Sequence, residues 1–119
     1  MTITMNYAPA LALARDAALK AGQLLRDELH RPGGPRGAGG HAPADAEAET
    51  LIRHAIAEAF PQHGIIGEEL SHLDRPPRDE EGHVWLVDPN DGTSYFTSGC
   101  RGSSVSIGLV RDGRPILGV

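Results

Sequence analysis

A chain of 119 residues, 39% of them hydrophobic, has material for one modest core and not two. Its formal charge of −5, from 16 acids against 11 scattered Lys and Arg, excludes the phosphate backbone of a nucleic acid as the main partner, since such binders carry a basic patch. The single Cys100 excludes an intramolecular disulfide, and the apolar stretch from Leu11 is broken by Arg15 and Asp16, which excludes a signal peptide or membrane span there and leaves a cytoplasmic protein as the expectation.

In chain order, Pro9 to His30 places apolar or small residues at Leu11, Ala14, Ala18, Gly22, Leu25 and Leu29, the period of a packing helix, with Arg15, Asp16, Lys20 and Arg26 on its solvated side. Residues 31 to 44 are rich in Gly and Pro and read as a flexible loop. Ala46 to Phe60 is a second amphipathic helix, through Ala48, Leu51, Ile52, Ala55, Ile56 and Ala59, stopped by Pro61. Asp45 stands just ahead of it, where an N-cap Asp is worth about 1 kcal/mol; on residue type alone it is a cap.

From Gly64 the rhythm shortens to strands at Ile65-Ile66, Val84 to Val87, Val105 to Val110 and Ile116 to Val119, the last two joined by a hairpin turn at Arg111 to Arg114. Ser71 to His83, with Pro76-Pro77 and several charges, is a solvated loop. Helices first and a strand meander after predict an α+β fold, with layered helices packed on an antiparallel sheet. The six histidines contain no H-E-x-x-H pair and read as scattered surface or loop residues. Ser103, Ser104 and Ser106 lack a nucleophile elbow around them.

The densest chemistry is at Trp85-Leu-Val-Asp88-Pro-Asn90-Asp91-Gly92-Thr93-Ser94, where two carboxylates and a hydroxyl surround a turn at the end of a buried strand. Oxygen-only donors suit a hard cation such as Mg²⁺. The same residue types also make an ordinary turn whose Asp and Asn bond their own backbone. A calcium loop does not fit, because Gly92 is fifth from Asp88 where the sixth is required, and Gly99 stands at the twelfth position in place of Glu. A second apolar run, Ile65-Ile66-Gly67-Glu68-Glu69, ends in another carboxylate pair.

With these motifs in this order, and with Ser104 to Val110 and Pro115 to Val119 downstream, the chain resembles the N-terminal half of the inositol monophosphatase family. Members carry Gly-Glu-Glu followed by apolar-Asp-Pro-x-Asp-Gly-Thr, and Asp88-Pro-x-Asp91-Gly92-Thr93 matches every fixed position. The likeness runs from the first helix through Val119. It departs in two places. Members usually have a Lys-bearing strand before the helix that follows the first Asp, where this chain has Arg31 to Gly40; and they continue beyond Val119 with a Trp-Asp motif and most substrate contacts. A partial catalytic domain over residues 1–119, with the C-terminal half absent, is the resulting expectation.

The resemblance implies Mg²⁺-dependent, lithium-sensitive hydrolysis of a small phosphate monoester such as an inositol monophosphate, by activated water and without a covalent intermediate, Mn²⁺ being a substitute. By the same resemblance Glu68, Asp88 and the Asn90 backbone carbonyl ligate one metal and Asp88 and Asp91 a second. Thr93 orients the attacking water with Asp45 or Glu68 as proton acceptor. Gly92 and Thr93 offer N–H groups to the phosphate, with a short helix from Ser94 aimed at it, and Asp91 reaches a substrate hydroxyl. Expected partners are a small phosphorylated metabolite and either a second copy or the missing half. The alternative is an inactive metal- and phosphate-binding remnant, or an interaction subunit that pairs through an exposed edge strand.

Overall fold

A computed structural model describes residues 5–119 of the chain. Helix α1 (Ala8–Leu29) buries Ala10, Ala14, Ala17, Ala21 and Leu25, a stripe turned about one position from the expected one. Leu11 is left 40% exposed. The reason is the neighbour: α1 lies against α2 (Pro43–Ala59), which also buries alanines, Ala44 and Ala48, at its start. Small side chains on both helices let the backbones approach, and Leu11 and Leu19 turn outward.

Helix α2 begins at Pro43, earlier than expected, because Pro at the first helical position gives up only an N–H that has no partner there. This corrects the capping reading of Asp45. Ala42 is the N-cap and makes no side-chain cap bond, while Asp45 lies inside the first turn and its N–H donates to the Ala42 carbonyl at 3.0 Å.

The Gly/Pro segment between the helices contains only an isolated bridge, Ala38 with His41, and is tied down at its neighbours. Arg36 pairs with Glu28 of α1 and, at 2.9 Å, with Glu47 of α2.

The sheet runs in the order β1 (Gly64–Gly67), β2 (His83–Asp91), β3 (Ser104–Arg111), β4 (Arg114–Gly118). β2–β3 and β3–β4 are antiparallel as expected, the latter closed by a turn with Asp112 at φ 48° and Gly113 at φ 77°. β1 and β2 are parallel, so the sheet is mixed. The segment from Glu68 to Gly82 is long enough to carry the chain back to the starting end of the sheet, which a hairpin cannot do. On its way it makes a 3₁₀ turn at Ser71–Leu73 and pairs Arg75 with Ile65 along the outer edge of β1.

Both long helices contact the sheet, with Trp85, Val87, Ile107 and Leu109 buried alongside Ile52, Ile56 and Phe96. Period-2 alternation sends Ile66 and Leu86 to the opposite face, where they are 48% and 43% exposed. Among the described residues no helix is long and apolar enough to cross a membrane.

Two histidines are not scattered surface groups. His83 is fully buried at the start of β2, its Nδ1 at 2.5 Å from Asp79 and its Nε2 at 2.8 Å from the Tyr7 hydroxyl. His63 stacks on it, centroids 4.6 Å apart, and its Nδ1 accepts from the Trp85 indole N–H at 3.0 Å. Ligand atoms of His63, Asp79 and His83 come within 4.8 Å of one another. Stacked rings nevertheless send their in-plane lone pairs side by side, and three of the four ring nitrogens are already hydrogen-bonded. We therefore read a packed polar cluster, at the opposite end of β1 and β2 from Glu68 and Asp88.

Candidate active site

Two neighbouring strand ends build the site. β1 stops at Gly67, and the Glu68 N–H donates to the Val87 carbonyl of β2 at 3.1 Å, which sets Glu68 beside Asp88. The neighbouring Asp88 carboxyl, first by hydrogen bonding to the protonated form and then by its charge, pushes the Glu68 carboxyl up to about 7. Glu69 is also raised, first by burial and then by the charges of Asp45 and Glu49.

Beyond Asp88 the pairing of β2 with β3 slips, with no regular partner between Asp88 and Asp91. Leu86 and Asp88 face outward on regular alternation, and Asn90 would follow them. The irregularity turns it inward instead, to 3% exposure, and leaves Asp91 exposed. The Asn90 amide Nδ2 then donates to Asp45 Oδ1 at 2.8 Å. Asp45 is buried at 1% exposure, and its other oxygen, Oδ2, lies 2.9 Å from the Thr93 hydroxyl, which also lies 2.9 Å from the Asn90 carbonyl. A hydroxyl has one proton, so the two acceptors share it.

Gly92 makes the turn possible. It sits at φ 95°, and a Cβ there would come within 3.2 Å of the Gly102 carbonyl oxygen. It is the N-cap of α3 (Thr93–Thr97), which starts one residue ahead of the expected Ser94 and is a single turn of five residues.

The expected site residues thus form two groups. Asp45, Asn90 and Thr93 are locked by hydrogen bonds; Glu68 and Asp88 form an acid pair; and Asp91 stands near enough for its charge to raise Glu68 slightly. The donor set fits a hard cation, because two carboxyls held in contact leave a proton on one of them where a cation would relieve the repulsion. The buried Asn90 Oδ1 has no hydrogen-bond partner among the described residues, an unfilled oxygen at the same turn.

The family model described as inositol monophosphatase family matches residues 6–119. A histidinol-phosphatase of Chlorobaculum parvum is 38% identical over 115 residues, spanning 93% of this chain and 43% of that protein. Inositol monophosphatase 1 of Solanum lycopersicum is 35% identical over 112 residues, spanning 92% and 41%. The solved structure of an inositol monophosphatase from Anabaena (Nostoc) superposes with a TM-score of 0.75 at 31% identity, covering 97% of this chain and 40% of that one. The chain spans less than half the length of these relatives.

Proposed function

The chain belongs to the inositol monophosphatase family, and from that premise we propose that residues 1–119 are the N-terminal metal-binding portion of a cytoplasmic phosphatase that hydrolyses a small phosphate monoester. The observation that carries the reading is the Glu68–Asp88 acid pair beside the Asp45–Thr93 hydrogen bond. Glu68, Asp88 and the Asn90 carbonyl would hold one Mg²⁺, with Mn²⁺ as substitute, and Asp91 with Asp88 would hold a second. Bound there, such a cation would supply positive charge to acidify a water and to neutralise the phosphoryl and leaving oxygens.

The chain's own residues do the rest. Thr93 Oγ1 orients the water and passes a proton toward Asp45 Oδ2, which its bond to Asn90 keeps aimed at the hydroxyl. Glu68, once ionised, is the other acceptor. Gly92 and Thr93 present N–H groups to the phosphate, and Asp91, exposed, is free to meet a substrate hydroxyl.

The test is phosphate release from inositol 1-phosphate and histidinol phosphate, with and without Mg²⁺, by wild type and Asp88→Asn. Weak release at most is expected from this chain alone, dependent on Mg²⁺ and lost in Asp88→Asn; release that needs no metal, or survives the substitution, overturns the reading. Lithium inhibition is expected from family membership alone.

A second reading, a metal- and phosphate-binding chain without turnover that pairs with another polypeptide, is favoured by the uncovered apolar residues Ile66, Leu86 and Val119 on one face of the sheet. Light scattering beside the same assay separates the two. Self-association with Mn²⁺ binding and no phosphate release supports the second.

A further inference from the structure

Glu68 lies in a loop just past the end of β1, beside Asp88, and its one bond to the strands is that from its N–H to the Val87 carbonyl. What prevents the loop from retreating is a buried ionic clamp behind it. Glu49, one helical turn from Asp45 on the same face of α2, is fully buried. Its Oε1 accepts the Glu69 N–H and its Oε2 the Leu70 N–H, each at 2.8 Å. Oε2 also takes the Arg53 Nε at 2.9 Å. Arg53 Nη2 reaches on to the Leu70 carbonyl at 3.0 Å and to Asp74 Oδ1 at 2.6 Å, and that same Asp74 oxygen accepts the Gly67 N–H at 3.0 Å.

Each backbone N–H from Gly67 to Leu70 is therefore bound, one to β2 and the other three to the clamp. The packing is close enough that a Cβ on Gly67 would lie 2.5 Å from Glu49 Cδ and 2.6 Å from Arg53 Nη2. Asp74 is held ionised, its carboxyl kept below the usual range first by the Arg53 hydrogen bond. Arg53 is the hub. Its planar fork bridges acids from two separate segments, which a lysine's single ammonium cannot do with the same geometry.

We propose that Arg53, through Glu49 and Asp74, is a positioning residue that holds the main chain of Glu68 so that its carboxylate stays opposite Asp88 for the cation. This rests on the metal reading above and deepens it: the clamp touches neither cation nor substrate, and acts by preorganising a ligand that lies beyond the last strand pair of β1.

The experiment titrates Mn²⁺ into the full chain as wild type, Asp88→Asn, Arg53→Met, Arg53→Lys and Asp74→Asn. Amide hydrogen exchange at Glu69 and Leu70 and the melting temperature are followed in parallel. Expected for Arg53→Met is a loss of Mn²⁺ affinity of about 10- to 100-fold, faster exchange at both amides, and partial recovery in Arg53→Lys. Asp74→Asn, which leaves the Arg53–Glu49 bond in place, gives a smaller loss and decides the matter if Arg53→Met does not fold. Mn²⁺ bound by wild type, lost in Asp88→Asn, and bound at full strength by Arg53→Met or, failing that, by Asp74→Asn overturns the proposal alone, leaving the clamp a merely structural feature. Mn²⁺ bound equally by wild type and Asp88→Asn, or by neither, overturns the metal reading and the proposal together.

Discussion

Glu68, one residue past the end of β1, stands beside Asp88 of the parallel strand β2, and hydrogen bonding to Asp88 first, then its charge, pushes the Glu68 carboxyl up to about 7. An acid pair so close costs stability once both members ionise, and a cation returns it.

The first expectation concerns that return. Mg²⁺ or Mn²⁺ should raise the melting temperature, since a ligand bound only by the folded chain at a hundred times its Kd adds about 2.7 kcal/mol. Asp88→Asn should lose most of the shift. Differential scanning calorimetry of both proteins checks it, and an equal shift in the variant removes Asp88 from the site.

pH gives an independent handle. The folded pKa of Glu68 is raised from 4.5 to about 7, so between those values the folded chain binds more protons than the unfolded one and stability falls as pH rises. The contribution is fully present below about pH 4.5 and gone above about 7. Metal-free melting curves across this range should show the decline in wild type and a flatter profile in Glu68→Gln. Mn²⁺ affinity should run the other way, rising toward pH 7 as the competing proton leaves.

Thr93→Ala tests the proton path. In a protein of this family that turns over phosphate monoesters, loss of the hydroxyl that joins the water to Asp45 should lower kcat by about 10²-fold. Mn²⁺ affinity should stay unchanged, because Thr93 is not among the proposed ligands. An unaltered kcat would take Thr93 out of the mechanism.

Gly92→Ala probes the turn itself. A side chain at φ 95°, pressed within 3.2 Å of a carbonyl oxygen, should cost about 1–3 kcal/mol in urea unfolding. Should stability be unchanged, the left-handed turn is not the one the folded chain adopts.

Much of this architecture is legible in residue order. The periods of both helices, the four strands and the Arg111–Arg114 hairpin all come from local pattern, and the acid motifs fall at the ends of strands, where side chains are held rigidly. What local pattern leaves out is direction and distance. The parallel pairing of β1 with β2 depends on where a long irregular segment returns, which no period encodes. Asp45 has the residue type and the place of a helix cap, and only contact with Thr93, 48 positions away, gives it another role. Asp74 reads as one more charge in a solvated loop, and its bond to Arg53 spans 21 positions. The α1 stripe shifted because the partner helix, not hydrophobicity alone, chose which face could come close.

Trp85, the only tryptophan of the chain, donates its indole N–H to His63 Nδ1, and an indole N–H can only donate. His63 is therefore the tautomer with its proton on Nε2, and a second proton would have to land on the atom Trp85 already occupies. Burial first, and then the neighbouring His83, lower the pKa of His63 below its usual value, so the bond breaks only under mild acid. The protein thereby carries its own optical probe: emission from a single buried chromophore should hold steady through neutral pH and change on acidification. His63→Gln should abolish that change while leaving the acid pair at the other end of the strands untouched.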